Sequence, residues 1–216
     1  MHITVYFRRG KKAPFIAFLC IALILCILVP ILFSRCYFTP SRPDTTQVYG
    51  VPLYQMLMKE GSAGRPGTHR TVRYIVIHET ANTNPGADAQ AHAGLLQSGQ
   101  NGTTSWHYSV DDHEICQSIP DDEIAYHAGD KRKEGGGNAC GIGIELCVNQ
   151  DGDFEKTFQN GAKLTAFLLQ EYHLGIGAVK QHADFMEKNC PSTIRDQGRW
   201  PEFLQLVEQY MQSSES

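Results

Sequence analysis

Tyr74-Ile75-Val76-Ile77-His78-Glu79-Thr80 is an apolar, β-branched run that ends on a metal-competent side chain, and such a run reads as a buried strand. A second run, Asn138-Ala139-Cys140-Gly141-Ile142-Gly143-Ile144-Glu145-Leu146-Cys147-Val148-Asn149, has the same character with one carboxylate in its middle. Burying an unpaired charge costs several kcal/mol or shifts the pKa until the group neutralises, so Glu145 must be paired, protonated or catalytic. A third segment, Gln181-His182-Ala183-Asp184-Phe185-Met186-Glu187-Lys188-Asn189-Cys190-Pro191, adds an imidazole and a thiol. Two imidazoles and one thiolate (His78, His182, Cys190) are three ligands, the number that leaves a catalytic zinc one open position for water. That chemistry points to hydrolysis.

Working outward, periodicity predicts strands at 72–78, 106–111, 114–119, 142–148 and 178–182, and helices at 87–98, 155–173 and 200–212. The expected fold is an α/β domain over 70–216, with a central mixed β-sheet flanked by α-helices. Asp111-Asp112-His113 supplies the polar turn of a hairpin. Phe158, Ala162, Thr165, Leu168, Leu169 and Tyr172 fall at helical spacing and read as core packing rather than a cofactor box.

Ahead of the domain, Phe15 to Phe33 is nineteen residues without a charge. At about 1.5 Å per residue that run spans about 28 Å, the thickness of a bilayer core. Arg8, Arg9, Lys11 and Lys12 precede it and only Arg35 closely follows, so residues 1–36 are expected to be a cytoplasmic basic stretch and a single-pass anchor at the cell membrane, with the domain on the extracytoplasmic side. A cleaved signal peptide fits less well, because the apolar run is long and Phe33-Ser34-Arg35-Cys36 lacks small residues at cleavage spacing. Residues 37–69 read as a tether punctuated by Gly and Pro, although Val51 to Met58 is apolar enough to dock as a short helix or strand.

Charge narrows the partners. Of 19 Lys+Arg and 23 Asp+Glu, five basic residues and no acidic ones lie in the first 36, so the remainder carries 14 − 23 = −9. Nucleic acid is thereby disfavoured as a ligand. Cys116 and Cys147 sit in strand-like segments as apolar fillers, whereas Lys188 and Pro191 flank Cys190, where a thiolate would be stabilised. A disulfide among Cys116, Cys140 and Cys147 stays open. The two-histidine helix of zincins cannot form, because position 82 is Asn. His92, His107, His113, His127 and His173 remain as candidate ligands, and turn and helix-end positions assign His113 and His173 to solvent.

The strand ending in His78, Ser105-Trp106-His107-Tyr108, Ala125-Tyr126-His127-Ala128-Gly129, the strand from Gly141 to Val148 and Lys188-x-Cys190-Pro191 occur in the order seen in a known family. Over about residues 70 to 205 the chain resembles the type 2 N-acetylmuramoyl-L-alanine amidases, zinc enzymes of peptidoglycan similar to phage endolysins and peptidoglycan-recognition proteins. The resemblance implies Zn2+ on His78, His182 and Cys190, Glu145 as general base and Lys188 as oxyanion stabiliser. It also implies a peptidoglycan substrate touched by Trp106 and His127. Trp106 stands where another branch of the family has a catalytic tyrosine, which favours Glu145 as the base. Two other readings remain: a binding module that does not cut, and a thiol peptidase with Cys190 as nucleophile and His182 as base.

Overall fold

Residues 46–213 are described by the computed structural model, and within them seven strands pair into one mixed sheet. In chain order the strands are β1 Gln47–Val48, β2 Val51–Gln55, β3 Tyr74–Glu79, β4 Tyr108–Val110, β5 Ile115–Gln117, β6 Gly141–Leu146 and β7 Val179–Gln181. The helices are α1 Ala89–Gln97, α2 Gly137–Cys140, α3 Phe154–Glu171, α4 Ser192–Asp196 and α5 Trp200–Ser213. Across the sheet the order is β1-β2-β5-β4-β6-β3-β7. Strands β4, β6, β3 and β7 run parallel, and the β1–β2 and β4–β5 pairs are antiparallel.

Central strands with helices over them must be apolar on both faces, and β3 is buried from Ile75 to Glu79 without interruption. Its neighbour β6 is buried throughout except at Glu145. One side of the sheet is covered by α3, whose buried residues include Phe158, Ala162, Thr165, Leu168 and Leu169, the stripe expected from the sequence. Asp153 starts this helix by accepting from the amides of Glu155 and Lys156. Gly161 permits the close approach to the sheet, since a Cβ there would come within 2.5 Å of Leu146 Cδ2. Helix α5 packs on α3 through the Phe158 and Phe203 rings, 5.2 Å apart. Each such buried side chain contributes about 1.5–3 kcal/mol, more than any exposed ion pair on the outer helix faces.

The observed elements fall within a few residues of those expected. Two strands were not expected as such. The stretch read as a tether does dock at Val51: β2 pairs in parallel with β5, Leu53 opposite Ile115, and Val48, Val51, Leu53 and Met58 are buried. A tight turn through Tyr49 and Gly50, both at positive φ, folds β1 back on β2. The expected membrane span at Phe15 to Phe33 lies outside the described residues, and among the described residues no helix is long and apolar enough to cross a membrane. Cys116, Cys140 and Cys147 are free thiols.

The β4–β5 hairpin closes on Asp111, which is 1% exposed. Its Oδ1 accepts from the amides of His113 and Glu114 at 2.9 and 2.8 Å, and its Oδ2 from the amide of Ala89 at 2.9 Å. One carboxylate therefore shapes a turn and ties the start of α1 to it. Replacing Asp111 with Ala strands these buried donors and should destabilise the domain by about 2–4 kcal/mol, with Asn costing less because it keeps an acceptor for the turn. Chemical denaturation would show this as a lower midpoint at unchanged slope, and a shift worth under about 0.5 kcal/mol would remove Asp111 from this role.

Candidate metal centre

His78, Glu145 and Ser109 sit side by side on β3, β6 and β4, because parallel pairing sets His78 opposite Glu145 and Glu145 opposite Ser109. Paired residues of neighbouring strands share a face, so the imidazole and carboxylate meet near the carboxyl ends of their strands. His182 follows the carboxyl end of β7 directly, in a single 3-10 turn over His182–Asp184. That turn is closed by Asp184, whose Oδ2 accepts from the Gln181 amide at 2.8 Å. The chain then loops through Lys188 to Cys190, whose carbonyl accepts from the Ala183 amide at 3.1 Å.

The three sequence-predicted ligands converge. His78 Nδ1 lies 3.0 Å from His182 Nδ1 and 3.9 Å from Cys190 Sγ, and all three donor atoms are within 4.8 Å of one another. Tetrahedral nitrogen and sulfur ligands of one zinc ion sit about 3.3–3.6 Å apart, so this group matches such a centre in size and in donor chemistry. Burial holds the His78 imidazole well below its ordinary pKa and His182 at about 4, which keeps both rings neutral with lone pairs to offer. Burial also pushes the Cys190 thiol up to about 11, so without a cation it holds its proton at neutral pH. A nucleophilic cysteine is favoured by the opposite shift, so the surroundings of Cys190 suit a metal ligand better than the nucleophile of a Cys190/His182 thiol peptidase.

Glu79 was not singled out from the sequence, yet it fixes the loop that carries Cys190. Its carboxylate accepts from Ser192 Oγ at 3.1 Å and from the amides of Thr193 and Ile194 at 2.8 and 3.0 Å, capping α4 just beyond the thiol. The signal was available, since the argument that a buried strand carboxylate must find partners applies to Glu79 as it does to Glu145. Glu145 Oε2 is buried and has no hydrogen-bond partner in the protein. Burial raises the Glu145 pKa to about 7 against the opposing charge of Lys188. Lys188 itself is exposed on the loop before Cys190.

The two expected substrate contacts, Trp106 and His127, are both buried. Trp106 is 7% exposed and packs in a small core with Met58, Leu96, Ile119 and Ala125. Its indole N–H donates to Ser109 Oγ at 2.8 Å, so it supports the strand beneath Glu145 instead of lining a surface. His127 is 5% exposed, with one ring nitrogen 2.9 Å from His78 Nε2 and the other 3.2 Å from the Gly141 carbonyl. It stands behind His78, a candidate ligand, with both ring nitrogens engaged. His107 is likewise internal, accepting from the Gly143 amide at 2.9 Å, while His113 and His173 are exposed as expected.

Comparison with known proteins gives the family of the chain. Residues 68–193 match the N-acetylmuramoyl-L-alanine amidase family. The chain is 42% identical over 153 residues to N-acetylmuramoyl-L-alanine amidase XlyA of Bacillus subtilis (strain 168), covering 71% of this chain and 50% of XlyA. It is 43% identical over 140 residues to CwlH of the same organism, covering 65% of this chain and 54% of CwlH. The chain thus spans about half the length of the curated relatives it matches. Among solved structures, the catalytic domain of XlyA superposes with a TM-score of 0.68 at 41% identity, covering 73% of this chain and 99% of that one. PlyL superposes with a TM-score of 0.66 at 27% identity, covering 73% of this chain and 97% of that one. From the extent of that match and these identities, the chain belongs to the N-acetylmuramoyl-L-alanine amidase family.

Proposed function

We propose that this domain hydrolyses the amide bond between the lactyl group of N-acetylmuramic acid and L-alanine in peptidoglycan, with zinc held by His78, His182 and Cys190. The observation that carries the reading is the convergence of those three donor atoms beside a carboxylate, Glu145, that strand register pins opposite His78. Zinc in such a site supplies Lewis acidity, which lowers the pKa of water at its open position toward about 7 and polarises a carbonyl. Glu145 offers an unpartnered oxygen to take the proton of the attacking water and to pass it to the departing amine. Its pKa near 7 suits both halves of that transfer. Lys188 brings a cation to the same loop, where it opposes the negative charge developing on the carbonyl oxygen. A module that binds without cutting would have no use for a carboxylate whose oxygen is desolvated and unpaired at the centre.

Digestion of purified peptidoglycan followed by mass spectrometry tests the bond assignment. Fragments should carry a new L-alanine amino terminus and intact glycan strands; new reducing ends or cleaved peptide cross-links would overturn it.

Variants separate the metal from the proton transfer. Alanine at His78, His182 or Cys190 should abolish tight zinc binding, whereas Glu145→Gln should keep zinc and lose on the order of 10² to 10⁴ in kcat. The base works ionised, so activity should fall as pH drops through the Glu145 pKa. The value of about 7 already includes the Lys188 charge, and a bound cation favours the ionised form further and sets the limb below it. The limb should vanish in Glu145→Gln, and near-normal turnover in that variant would leave Glu145 a mere core carboxylate.

The segment from Phe15 to Phe33 is proposed as an uncleaved anchor, on the strength of its uncharged length and of the four basic residues ahead of it. The enzyme would then act at the extracytoplasmic face of the cell membrane. Protease added outside spheroplasts should digest the domain and spare the residues before Phe15, and protection of the domain would reverse the orientation.

A further inference from the structure

The tautomer of His78 is set from behind the metal centre. The Gly141 carbonyl oxygen can only accept, and it lies 3.2 Å from His127 Nε2, which places the His127 proton on that nitrogen. His127 Nδ1 is then a lone pair, and it lies 2.9 Å from His78 Nε2, which must donate to it. His78 Nδ1 is left bare, and this is the atom that faces His182 and Cys190. Only one arrangement of protons satisfies the chain once its carbonyl end is fixed.

Several groups hold His127 where this logic requires it. Asn138 Oδ1 accepts from the amides of His127 and Ala128, both at 2.7 Å, fixing the backbone that carries the ring. Gly143 lets the ring lie directly on β6, since a Cβ there would come within 2.7 Å of His127 Cγ. Arg70 Nη2 donates to the same Gly141 carbonyl at 3.0 Å, while its Nε donates to the Glu123 carbonyl at 3.0 Å.

We infer that His127, seated on the Gly141 carbonyl beside Arg70, is a positioning residue that selects the His78 tautomer with a bare Nδ1 and so pre-organises the metal centre. Metal-binding histidines commonly donate their second nitrogen to a carboxylate or carbonyl; here a second imidazole takes that place and hands the proton bookkeeping one residue further back. The inference rests on the metal reading of the site, but the tautomers themselves can be read without metal.

The test uses the full chain in detergent micelles, labelled with 15N-histidine and stripped of metal. Two-bond 1H–15N correlations should show His78 and His127 each protonated on Nε2. In His127→Phe, His78 should lose that preference, and the zinc dissociation constant, measured by competition with a chelator, should rise about 10- to 100-fold. His127→Gln, whose amide oxygen can accept from His78 Nε2–H, should recover most of the affinity. A His78 proton on Nδ1 in the unaltered protein would overturn the inference, and that spectrum decides even if the Phe variant fails to fold. So would a His127→Phe protein that keeps both the tautomer and the affinity. Absence of zinc binding in the unaltered protein with both tautomers as stated would support the proton relay and sink the metal reading alone.

Discussion

The parallel ladder between β3 and β6 is the constraint on which the centre depends. It runs from Tyr74 opposite Gly141 to Glu79 opposite Leu146, and its register places His78 beside Glu145. A slip of one residue would send the imidazole to the opposite face from its partners. Register is held by the face of the strands opposite His78, where Ile75, Ile77, Ile142 and Ile144 are paired and fully buried in the main core. Apolar packing on one face therefore fixes the relative position of a candidate ligand and the proposed base on the other.

Polar groups inside this sheet are numerous, and most have a specific partner, Glu145 Oε2 being a notable exception. Arg65 grips Glu123 with two hydrogen bonds, Nε to Oε2 at 2.8 Å and Nη2 to Oε1 at 2.6 Å, and also donates to the Met58 carbonyl. This pair sews the segment after β2 to the strand-side loop that precedes His127. A buried ion pair adds little net stability over apolar residues of similar shape, but losing one partner is costly, so such a pair acts mainly to exclude other arrangements. Asp111 answers backbone groups in turn, the amides of Ala89, His113 and Glu114, while Arg70 shares its two carbonyl acceptors with the rings of His127 and His107.

Much of this architecture was legible in the chain. Continuous apolar runs gave β3 and β6, and Asp111-Asp112-His113 marked the hairpin, because buried parallel strands and tight turns leave strong local patterns. Strands β1 and β2 were harder to see: they are short, interrupted by Gly50 and Pro52, and buried only at alternate positions along the edge of the sheet. The three metal-competent side chains could be named because donor chemistry belongs to residue type. Where Trp106 and His127 point could not be read in the same way. An imidazole in a cleft and an imidazole behind a ligand have the same sequence, and only the approach of the Gly141 carbonyl and His78 distinguishes them.

Glu79 would give the domain an independence from the proposed zinc. In small zinc modules the ion supplies the folding free energy, so removing it unfolds the chain. Here the loop bearing Cys190 is already moored by the carboxylate of Glu79 on three donors of α4, and the two imidazoles are held by β3 and by the turn after β7. Emptying such a centre leaves a vacant but standing socket. Reloading it is then a matter of ion supply and proton release rather than of refolding, so scarcity of metal could silence the protein reversibly without exposing it to degradation.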